Sequence, residues 1–234
     1  IVINYTDNPP DAINDLTVTP DISLSESSYT YRQRAVLKWT ASEANDFLRY
    51  RIRNDVNISD PPPESHLAMV NSRGSTSYLD TRLLAGGNTI YYAIHVEDQR
   101  NKSAATNANR SNVISWTKSS AVFGPLSVGS SASTLQEVEV RIRSTTMNTA
   151  KKAIIVWGDG SKSLTENLTS SGGYLFARHR YTKATSGYTI RGQIEDIYGF
   201  RSSLRSYSTT LTISNLGPVA KIVASPSRQR TAST

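Results

Sequence analysis

Apolar and polar residues alternate in short stretches along the whole chain, separated by clusters of Gly, Pro, Asn, Asp and Ser. The clearest stretch is EVEVRIR at 137–143, whose apolar positions are Val138, Val140 and Ile142. A second is YYAIHVED at 91–98, which predicts Tyr92, Ile94 and Val96 facing a core and Ala93, His95 and Glu97 facing water. A period of two residues with one apolar side is typical of antiparallel strands in a sheet that has one face in water.

Strand-like stretches of this kind fill both halves of the chain, and signals for helices are almost absent. In the first half they lie at 16–20, 35–41, 50–54, 89–98 and 111–117. In the second half they lie at 135–144, 152–157, 187–196 and 208–214. Their number and spacing predict an all-β chain of two antiparallel β-sandwiches in series, joined near residues 118–125.

The net charge is distributed unevenly between the two halves of the chain. The 234 residues together have a formal charge of +7. Residues 1–118 contain 12 Lys and Arg against 13 Asp and Glu, a net of −1, whereas residues 119–234 contain 14 against 6, a net of +8. Two units with different surfaces are therefore expected. The absence of Cys excludes disulfides, thiolate metal sites and cysteine nucleophiles.

The first half contains three spaced motifs: NPPDAINDLTV at 8–18, AVLKWTASEAND at 35–46, which carries Trp39, and TSYLDTRLLAGGNTIYYAIHVEDQRNKSAATN at 76–107. With these motifs, residues 8–118 resemble a prokaryotic fibronectin type III domain. The motifs are similar, in this order, to the proline-led first strand of that family, to the strand with its core tryptophan and to its long closing signature. The resemblance implies a tyrosine corner formed by Leu84 and Tyr92, in which the phenol caps backbone at the end of the sandwich, and a turn that begins at Asp98.

Residues 119–215 resemble a PKD domain, the immunoglobulin-like β-sandwich named after the polycystic kidney disease protein. The positions similar to its signature are Trp157, the turn Gly158-Asp159-Gly160, His179, Tyr181, Tyr188 and Asp196. Most members have Asp-Phe before Gly-Asp-Gly, whereas this chain has Val156-Trp157. The resemblance implies that Trp157 fills the core or lies across its end, and that His179 has a structural role.

Both ends of the chain lie outside these two units. Residues 1–7 are expected to form a tail or linker. LGPVAKIVASPS at 216–227 resembles the first strand of another PKD-like domain, so residues 216–234 are expected to form that strand or a tail. A lone strand has an unpaired edge, and we expect it to pair with a neighbour or to be poorly ordered. The predicted fold is therefore two tandem Ig-like antiparallel β-sandwiches plus a short C-terminal strand or tail.

The stretch VWGDGS at 156–161 is open to three interpretations, which are a catalytic loop, a cation site and a tight turn. Glycine tolerates a positive φ and an Asp carboxylate accepts hydrogen bonds from nearby backbone N–H groups, which favours the turn. Catalysis by Asp159 would need a partner acid, base or metal cluster, and nothing nearby in the sequence provides one. The three histidines, His66, His95 and His179, form no metal or triad motif. The chain is therefore predicted not to be an enzyme.

Two further kinds of candidate site lie in loops. Acidic residues cluster near the amino end at Asp7, Asp11, Asp15 and Asp21. They could bind calcium, but acidic loop residues that contact only water are the better interpretation, because no fixed ligand spacing is visible. No other cofactor is expected. Sequons that accept a glycan in an archaeal or eukaryotic surface protein occur at Asn4, Asn57, Asn101, Asn109 and Asn167.

Basic residues of the second half alternate with core positions, so several of them are expected to share one face of the sandwich. The residues expected to contact an anionic partner are Arg141, Arg143, Arg178, Arg180 and Arg191. Few aromatic residues are interleaved with them, which argues against nucleic acid as the partner. The expected partners are other protein subunits or neighbouring domains in a surface assembly, and anionic glycans.

The two resemblances imply a non-catalytic structural or adhesive segment of a large extracellular multi-domain protein, at a cell surface or on a virion surface. Such sandwiches project or link other parts and act through contacts with proteins or glycans. The alternative is an accessory carbohydrate- or substrate-binding region of a secreted hydrolase whose catalytic domain lies outside this chain. No membrane span is expected in this segment, because no apolar run approaches the ~20 residues that cross a bilayer.

Overall fold

The described part of the chain is built from β-strands. The computed structural model describes residues 10–54, 66–83, 86–99, 109–124, 126–165 and 173–217. Within these ranges it contains strands numbered here in chain order and a short 3-10 helix, Met147–Thr149. The predicted all-β architecture of two sandwiches is confirmed. The predicted domain boundaries stay predictions, and the tails at 1–7 and 218–234 lie outside the described residues.

The first sandwich has a three-stranded and a four-stranded sheet. The three-stranded sheet consists, in spatial order, of β1 (Thr17–Pro20), β2 (Ala35–Lys38) and β5 (Ser77–Asp80). The four-stranded sheet consists of β4 (Ala68–Val70), β3 (Phe47–Arg53), β6 (Thr89–Asp98) and β7 (Ile114–Thr117). This division into three and four strands is the arrangement of immunoglobulin-like sandwiches.

Apolar residues from both sheets form the core of the first sandwich. Leu37 from β2 and Ile52 from β3 are fully buried. Trp39 is buried and lies edge-on to Tyr50, with 5.4 Å between the ring centroids. The residues predicted to face the core from β6 are all buried in it, namely Tyr92, Ile94 and Val96.

The other face of β6 does not lie in water, and this part of the prediction is wrong. Ala93, His95 and Glu97 are all buried. Arg49 and Arg51 on the neighbouring β3 each place Nε 2.5 Å from a carboxylate oxygen of Glu97. The alternation rule treats charged positions as solvated, whereas here opposite charges on adjacent strands pair with each other and cover the sheet.

The second sandwich contains three hydrogen-bonded sheets. The first consists of β8 (Ala121–Phe123), β10 (Glu137–Ser144) and β13 (Leu175–Arg180), with β10 in the middle. The second consists, in spatial order, of β12 (Lys162–Thr165), β11 (Ala150–Val156), β15 (Arg191–Asp196) and β16 (Arg205–Ser206). The third consists of β14 (Thr185–Tyr188), β17 (Leu211–Ser214) and β9 (Ser131–Ser133), and its strands β17 and β9 run parallel.

The core of the second sandwich follows the predicted alternation of β10. Val138, Val140 and Ile142 are fully buried, and the charged residues between them are exposed or half-buried. Gly192 on β15 lies against this core. A Cβ atom at Gly192 would lie 2.8 Å from the side chains of both Ile142 and Phe123, so only glycine leaves room for them.

Tyr92 is held at one end of the first sandwich by a buried carboxylate. Its hydroxyl donates to Oδ2 of Asp80 at 2.6 Å. The tyrosine corner with Leu84 stays a prediction, because Leu84 lies outside the described residues. Arg82 donates to both oxygens of the same carboxylate, at 2.9 and 2.8 Å. Burial alone would raise the pKa of Asp80, but the hydrogen bonds from Arg82 and Tyr92 outweigh it and hold that pKa below its ordinary value.

Replacement of Tyr92 by Phe is expected to lower the free energy of unfolding by about 1–2 kcal/mol, because the buried carboxylate loses a donor. Urea unfolding followed by tryptophan fluorescence measures the change. Tyr91→Phe is the control, since the Tyr91 hydroxyl on the same strand has no hydrogen-bond partner in the described part of the chain. The control should change by less than about 0.5 kcal/mol. Equal losses in the two variants would contradict a stabilising role for the Asp80–Tyr92 hydrogen bond.

Candidate functional site

The Gly-Asp-Gly turn connects the end of β11 with β12, and its backbone requires both glycines. Gly158 has φ 89° and Gly160 has φ 93°, in the left-handed region that residues with a Cβ atom seldom adopt. At Gly158 a Cβ atom would also lie 3.0 Å from the carbonyl oxygen of Thr189. The tight-turn interpretation therefore accounts for both glycines.

Asp159 holds this turn closed through both of its carboxylate oxygens. Oδ1 accepts hydrogen bonds from the backbone N–H of Ser161 at 2.9 Å and from its hydroxyl at 2.5 Å. Oδ2 lies 2.7 Å from Nε2 of His179. Burial alone would raise the pKa of Asp159, but the hydrogen bonds from Ser161 and His179 together outweigh burial and lower it. Sequence reasoning missed Ser161, although its place directly after the second glycine is a signal for such a cap.

Ser161, His179 and Asp159 are the residue types of a catalytic triad, but their geometry differs from one. In a triad the acid contacts one ring nitrogen of the histidine and the nucleophile contacts the other. Here the Asp159 carboxylate and the Ser161 hydroxyl approach the same nitrogen, Nε2, at 2.7 and 3.4 Å. The hydroxyl also donates directly to the carboxylate. The histidine therefore cannot relay a proton between them, and the arrangement is a hydrogen-bonded cap.

The aromatic residues of the predicted signature form one stack beneath the turn. Trp157 is fully buried, and the His179 ring stacks on it with centroids 5.0 Å apart. The Tyr181 ring meets His179 edge-on at 4.6 Å, and its hydroxyl donates to the Trp157 carbonyl oxygen at 2.9 Å. Tyr188 stacks on Tyr181 at 4.4 Å. The structure thus brings together Asp159 and all four predicted aromatic positions, and Trp157 lies in the core.

Asp196 lies away from that stack, in the turn that leads out of β15. Its Oδ1 accepts the backbone N–H groups of Tyr198 at 3.0 Å and Phe200 at 2.9 Å, and Gly199 has φ 84°. Its side chain is almost fully buried, and burial raises its pKa to about 6 in spite of these hydrogen bonds. The turn fixes the position of the residue that follows it, Phe200.

Phe200 carries the contact between the two sandwiches. It comes directly after Gly199, at the end of the Asp196 turn of the second sandwich, yet its side chain packs into the core of the first sandwich. Its ring stacks on Trp116 of β7 with centroids 4.8 Å apart, and only 2% of Phe200 is exposed. Trp116 in turn lies 5.8 Å from the Tyr92 ring. Sequence reasoning missed this contact, for which a large apolar residue directly after a Gly turn is the one available signal.

Arg201 adds a buried ionic contact beside Phe200. Its Nε lies 3.0 Å from Glu195 on β15, and its Nη2 lies 3.0 Å from Glu26 of the first sandwich. Its guanidinium stacks over the ring of Tyr31, 4.8 Å from the centroid. Its backbone N–H donates to the carbonyl oxygen of Arg32 at 2.9 Å. One buried arginine therefore binds both sandwiches through charge, aromatic and backbone contacts.

Lys118 places a further charge inside the same junction. It is fully buried, and its Nζ donates to the Gln33 carbonyl oxygen at 3.4 Å. Burial lowers the pKa of Lys118 to about 8, and the Asp196 carboxylate partly opposes that shift. At neutral pH the connection between the sandwiches therefore holds a buried cation close to a buried anion.

A groove of about 330 Å³ opens beside these contacts. Residues 26–29 of the first sandwich form one wall, and Ile154, Val156 and Gln193 of the second form the other. These three side chains lie on the outer face of the β11–β15 pair, where solvent is expected in an isolated sandwich. Ile154 and Gln193 are buried because the loop that carries Tyr29 lies over them, with Nε2 of Gln193 donating to the Tyr29 carbonyl oxygen at 2.7 Å.

Four of the five arginines predicted to meet an anionic partner lie on the outer face of the β8–β10–β13 sheet, and Arg191 lies on β15 in another sheet. Acidic neighbours partly neutralise that face. Arg178 lies 3.0 Å from Glu139, and Arg180 lies 3.5 Å from Glu137. The expectation that several of these arginines share one face agrees with these four, but cross-strand ion pairs occupy half of that face. Their contact with an anionic partner stays a prediction.

The other half of this face pairs arginines with aromatic rings. Arg141 lies over Phe176 with 5.3 Å between the guanidinium carbon and the ring centroid, and Arg143 lies 6.0 Å from the Tyr174 centroid. Arg141 is also 3.3 Å from Glu139. For Arg143, no carboxylate in the described ranges lies within ion-pair distance. Among these four arginines, the charge without a carboxylate partner in the described ranges is therefore that of Arg143.

Of the acidic residues near the amino end, Asp15 and Asp21 are held by separate partners. Asp15 accepts hydrogen bonds from the N–H and hydroxyl of Thr40, and Asp21 pairs with Arg34. No group of three His, Asp or Glu side chains that could hold a metal ion occurs within the described residues, which leave out Asp7. Calcium binding stays a prediction without a structural counterpart in this part of the chain.

Asn109 is the predicted glycosylation position that falls within the described residues, and it does not fit a glycan. Its side chain is buried, and Nδ2 donates to the Val96 carbonyl oxygen at 2.9 Å. The amide nitrogen that would carry the glycan is thus enclosed beside β6. Asp98, at the end of the same strand, is also buried. The remaining predicted positions lie outside the described residues, namely Asn4, Asn57, Asn101 and Asn167.

Comparison with known proteins gives distant structural likenesses. No family model matches the chain, and no curated protein matches it. The chain is similar to the PKD domain of an M14-like peptidase from Thermoplasmatales archaeon SCGC AB-540-F20, with 20% identity, a TM-score of 0.32, and coverage of 41% of this chain and 92% of that one. It is similar to the fibronectin(III)-like modules of Clostridium thermocellum CbhA, with 10% identity, a TM-score of 0.34, and coverage of 85% and 95%.

A third likeness is to the FN1–FN3 domains of chicken CNTN1, with 9% identity, a TM-score of 0.32, and coverage of 87% of this chain and 68% of that one. These likenesses are too distant to carry an argument. The strand order of the chain itself defines its immunoglobulin-like, fibronectin III-like fold. No helix in the described ranges is long and apolar enough to cross a membrane.

Replacement of Asp159 by Ala is expected to lower the free energy of unfolding by about 1–2 kcal/mol at pH 7, because three donors lose their acceptor. The folded-state pKa of Asp159 is lowered, so its contribution is present above the ordinary Asp pKa and is lost as the pH falls through the folded value. The difference from the wild type in urea unfolding should therefore shrink in strongly acidic solution. Asp11→Ala, at an exposed position, is the control. A variant that unfolds like the wild type but loses a catalytic turnover would overturn the cap interpretation.

The arginine face gives a second prediction, in two double variants that lower the net charge equally. Arg141→Gln/Arg143→Gln is expected to elute from immobilised heparin at clearly lower salt than the wild type, because it removes Arg143, which has no carboxylate partner among the described residues. Arg178→Gln/Arg180→Gln is the matched control and should shift less, since these side chains already pair with Glu137 and Glu139. Equal shifts would contradict the division of this face into two halves.

Proposed function

We propose that this chain is a non-catalytic structural segment of an extracellular multi-domain protein, in which two sandwiches hold neighbouring parts at a fixed relative orientation. The observation that carries the proposal is the insertion of Phe200 from the second sandwich into the core of the first. Tandem domains joined by a flexible linker and a small polar interface are expected to move relative to each other. A buried aromatic contact opposes that motion because separation would expose both rings to water.

Around Phe200, the other contacts restrain rotation as well as separation. Arg201 reaches both Glu26 and Glu195, and Gln193 reaches the Tyr29 carbonyl oxygen. Each of these hydrogen bonds has a direction, so turning one sandwich about the Phe200 contact would break them. The junction therefore combines an apolar pivot with polar contacts beside it, which suits a rigid spacer.

The first sandwich is proposed to be a fibronectin type III domain and the second a PKD domain. The resemblance of 8–118 and 119–215 to these families supports this assignment, and the close packing of Trp157, His179, Tyr181 and Tyr188 supports a structural role for the second signature. Strings of such domains on a cell surface or virion act as spacers. The Asp159 cap, in which Ser161 and the acid meet one histidine nitrogen, supports a non-catalytic role.

The proposed partners are protein subunits or neighbouring domains of the same assembly, and anionic glycans. The exposed charge of Arg143, which lies beside the Tyr174 ring, supports an acidic partner on that sheet face. One observation favours the second candidate function, an accessory carbohydrate-binding region of a secreted hydrolase. This observation is the groove of about 330 Å³ between the sandwiches.

Phe200→Ala tests the proposed spacer. In the wild type, ¹⁵N relaxation is expected to give one rotational correlation time for both sandwiches, and small-angle scattering should fit a single conformation. In Phe200→Ala the two correlation times should separate, because removal of the ring takes away the buried contact with Trp116. Tyr198→Ala, in the same turn but 54% exposed at this residue, is the control.

Spectral dispersion in both variants reports whether each sandwich stays folded. A third variant, Arg201→Lys, keeps the charge but cannot reproduce the forked contact with Glu26 and Glu195, and it should loosen the junction less than Phe200→Ala. Independent tumbling of the sandwiches in the wild type would overturn the proposal.

A further inference from the structure

The groove between the sandwiches has the size and the position of a ligand site. Small-molecule sites are concave, have volumes of about 300 Å³ or more, and occur preferentially at boundaries between domains. This groove has a volume of about 330 Å³ and takes its walls from both sandwiches. We propose that it binds a neutral saccharide, with the ring of Tyr29 as the stacking surface. The proposal rests on the fixed junction proposed above, since the two walls belong to different sandwiches.

The Tyr29 ring is exposed, but its backbone is held in place from both sides. Its carbonyl oxygen accepts hydrogen bonds from Nε2 of Gln33 in the first sandwich and from Nε2 of Gln193 in the second. Gln193 is 3% exposed and also donates to the Ser202 carbonyl oxygen at 3.2 Å. The exposed fraction of Tyr29 is 42%. Because the backbone that carries this exposed side chain is fixed before binding, less conformational entropy is lost when a ligand covers it.

The floor of the groove is apolar. Ile154 and Val156 project from β11 on the face opposite the core of the second sandwich. Val156 is half-buried and, with Tyr29, offers apolar surface to the C–H groups of a ligand, whereas Ile154 is 6% exposed and adds only a small part of the floor. A pyranose ring has such a face, formed by its axial C–H groups, while its hydroxyls point outward around the rim. The apolar floor therefore fits the flat face of a sugar ring.

The rim of the groove is polar and offers both donors and acceptors. Lys162 supplies a donor, and Ser27 and Ser28 supply hydroxyls that can donate and accept. Glu26 supplies an acceptor, since its side chain is 68% exposed while it pairs with Arg201. Arg201 also pairs with Glu195, which Lys152 shares, so these ion pairs leave only a small positive excess. A rim that mixes donors and acceptors in this way matches the hydroxyls of a saccharide.

The experiment uses the full chain and four named neutral probes: cellohexaose, xylohexaose, chitohexaose and mannohexaose. Binding is followed by the methyl NMR signals of Ile154 and Val156 and by calorimetry. At least one probe is expected to shift both signals to saturation. Tyr29→Ala should weaken binding of that probe by about tenfold or more, as the loss of one aromatic contact predicts. Tyr198→Ala removes an exposed tyrosine outside the groove and should leave the affinity unchanged.

Hexagalacturonate serves as the charged comparison. If it binds more tightly than all neutral probes, with an affinity that falls as salt is added, the neutral class is wrong. Absence of a shift with all four neutral probes, or equal affinity in Tyr29→Ala, would overturn the site itself.

The relaxation measurements on the wild type separate this result from the spacer proposal. If the wild type is rigid and binds no probe, the ligand site is refuted and the spacer proposal stands. If the wild type binds a probe while its sandwiches tumble independently, the spacer proposal is refuted, and binding should then slow the relative motion of the sandwiches. If the site needs both walls, Phe200→Ala should weaken binding of the probe, although Tyr29, Ile154 and Val156 are unchanged. Full affinity in Phe200→Ala would contradict a groove shared between the sandwiches.

Discussion

The stacking of Phe200 on Trp116 makes one side chain of the second sandwich part of the core of the first. The turn at Asp196 sets its position, because this carboxylate binds the backbone N–H of Phe200. Arg201, the next residue, then reaches Glu26 across the junction. The groove owes its existence to the same contact, since it lies between a loop of one sandwich and a sheet of the other. Stability and any ligand binding at this point are therefore coupled.

Buried charges surround this apolar contact. Lys118, Asp196, Glu195 and Arg201 are all at most 4% exposed. Burying ions costs desolvation energy, and their mutual attraction recovers that energy only when each charge has a well-placed partner. Apolar packing alone would tolerate many similar arrangements of two sandwiches, whereas few of those arrangements give each buried charge a partner. On the spacer proposal, the ionic layer is expected to contribute to the orientation of the sandwiches more than to the strength of their association.

Much of each sandwich could be predicted from the sequence, because strand periodicity and short signatures are local. The alternation of β10 and the grouping of Trp157 with Asp159 depend on residues that lie close together in the sequence, within one strand or one turn. The burial of His95 and Ile154 on the outer faces could not be predicted, since it depends on chain segments that cover those faces. The run KAIIVW at 152–157 did carry a hint, because a strand apolar on both sides is typical of a sheet covered on both faces. Nothing in the sequence around Tyr29 indicates the groove, because the groove forms only where the loop that carries Tyr29 meets β15.

The parallel pair of β9 and β17 lies near the points where the chain enters and leaves the second sandwich. Thr212 lies opposite Ser131, and Ser214 lies opposite Ser133. Once β8 has separated from β10, tension on the chain pulls β9 from its beginning and β17 from its end, which are opposite ends of a parallel pair. The hydrogen bonds between the two strands are then sheared together, whereas an antiparallel pair pulled from one end opens one bond at a time. The direction of one short strand thus gives the second sandwich mechanical resistance to a force applied along the chain.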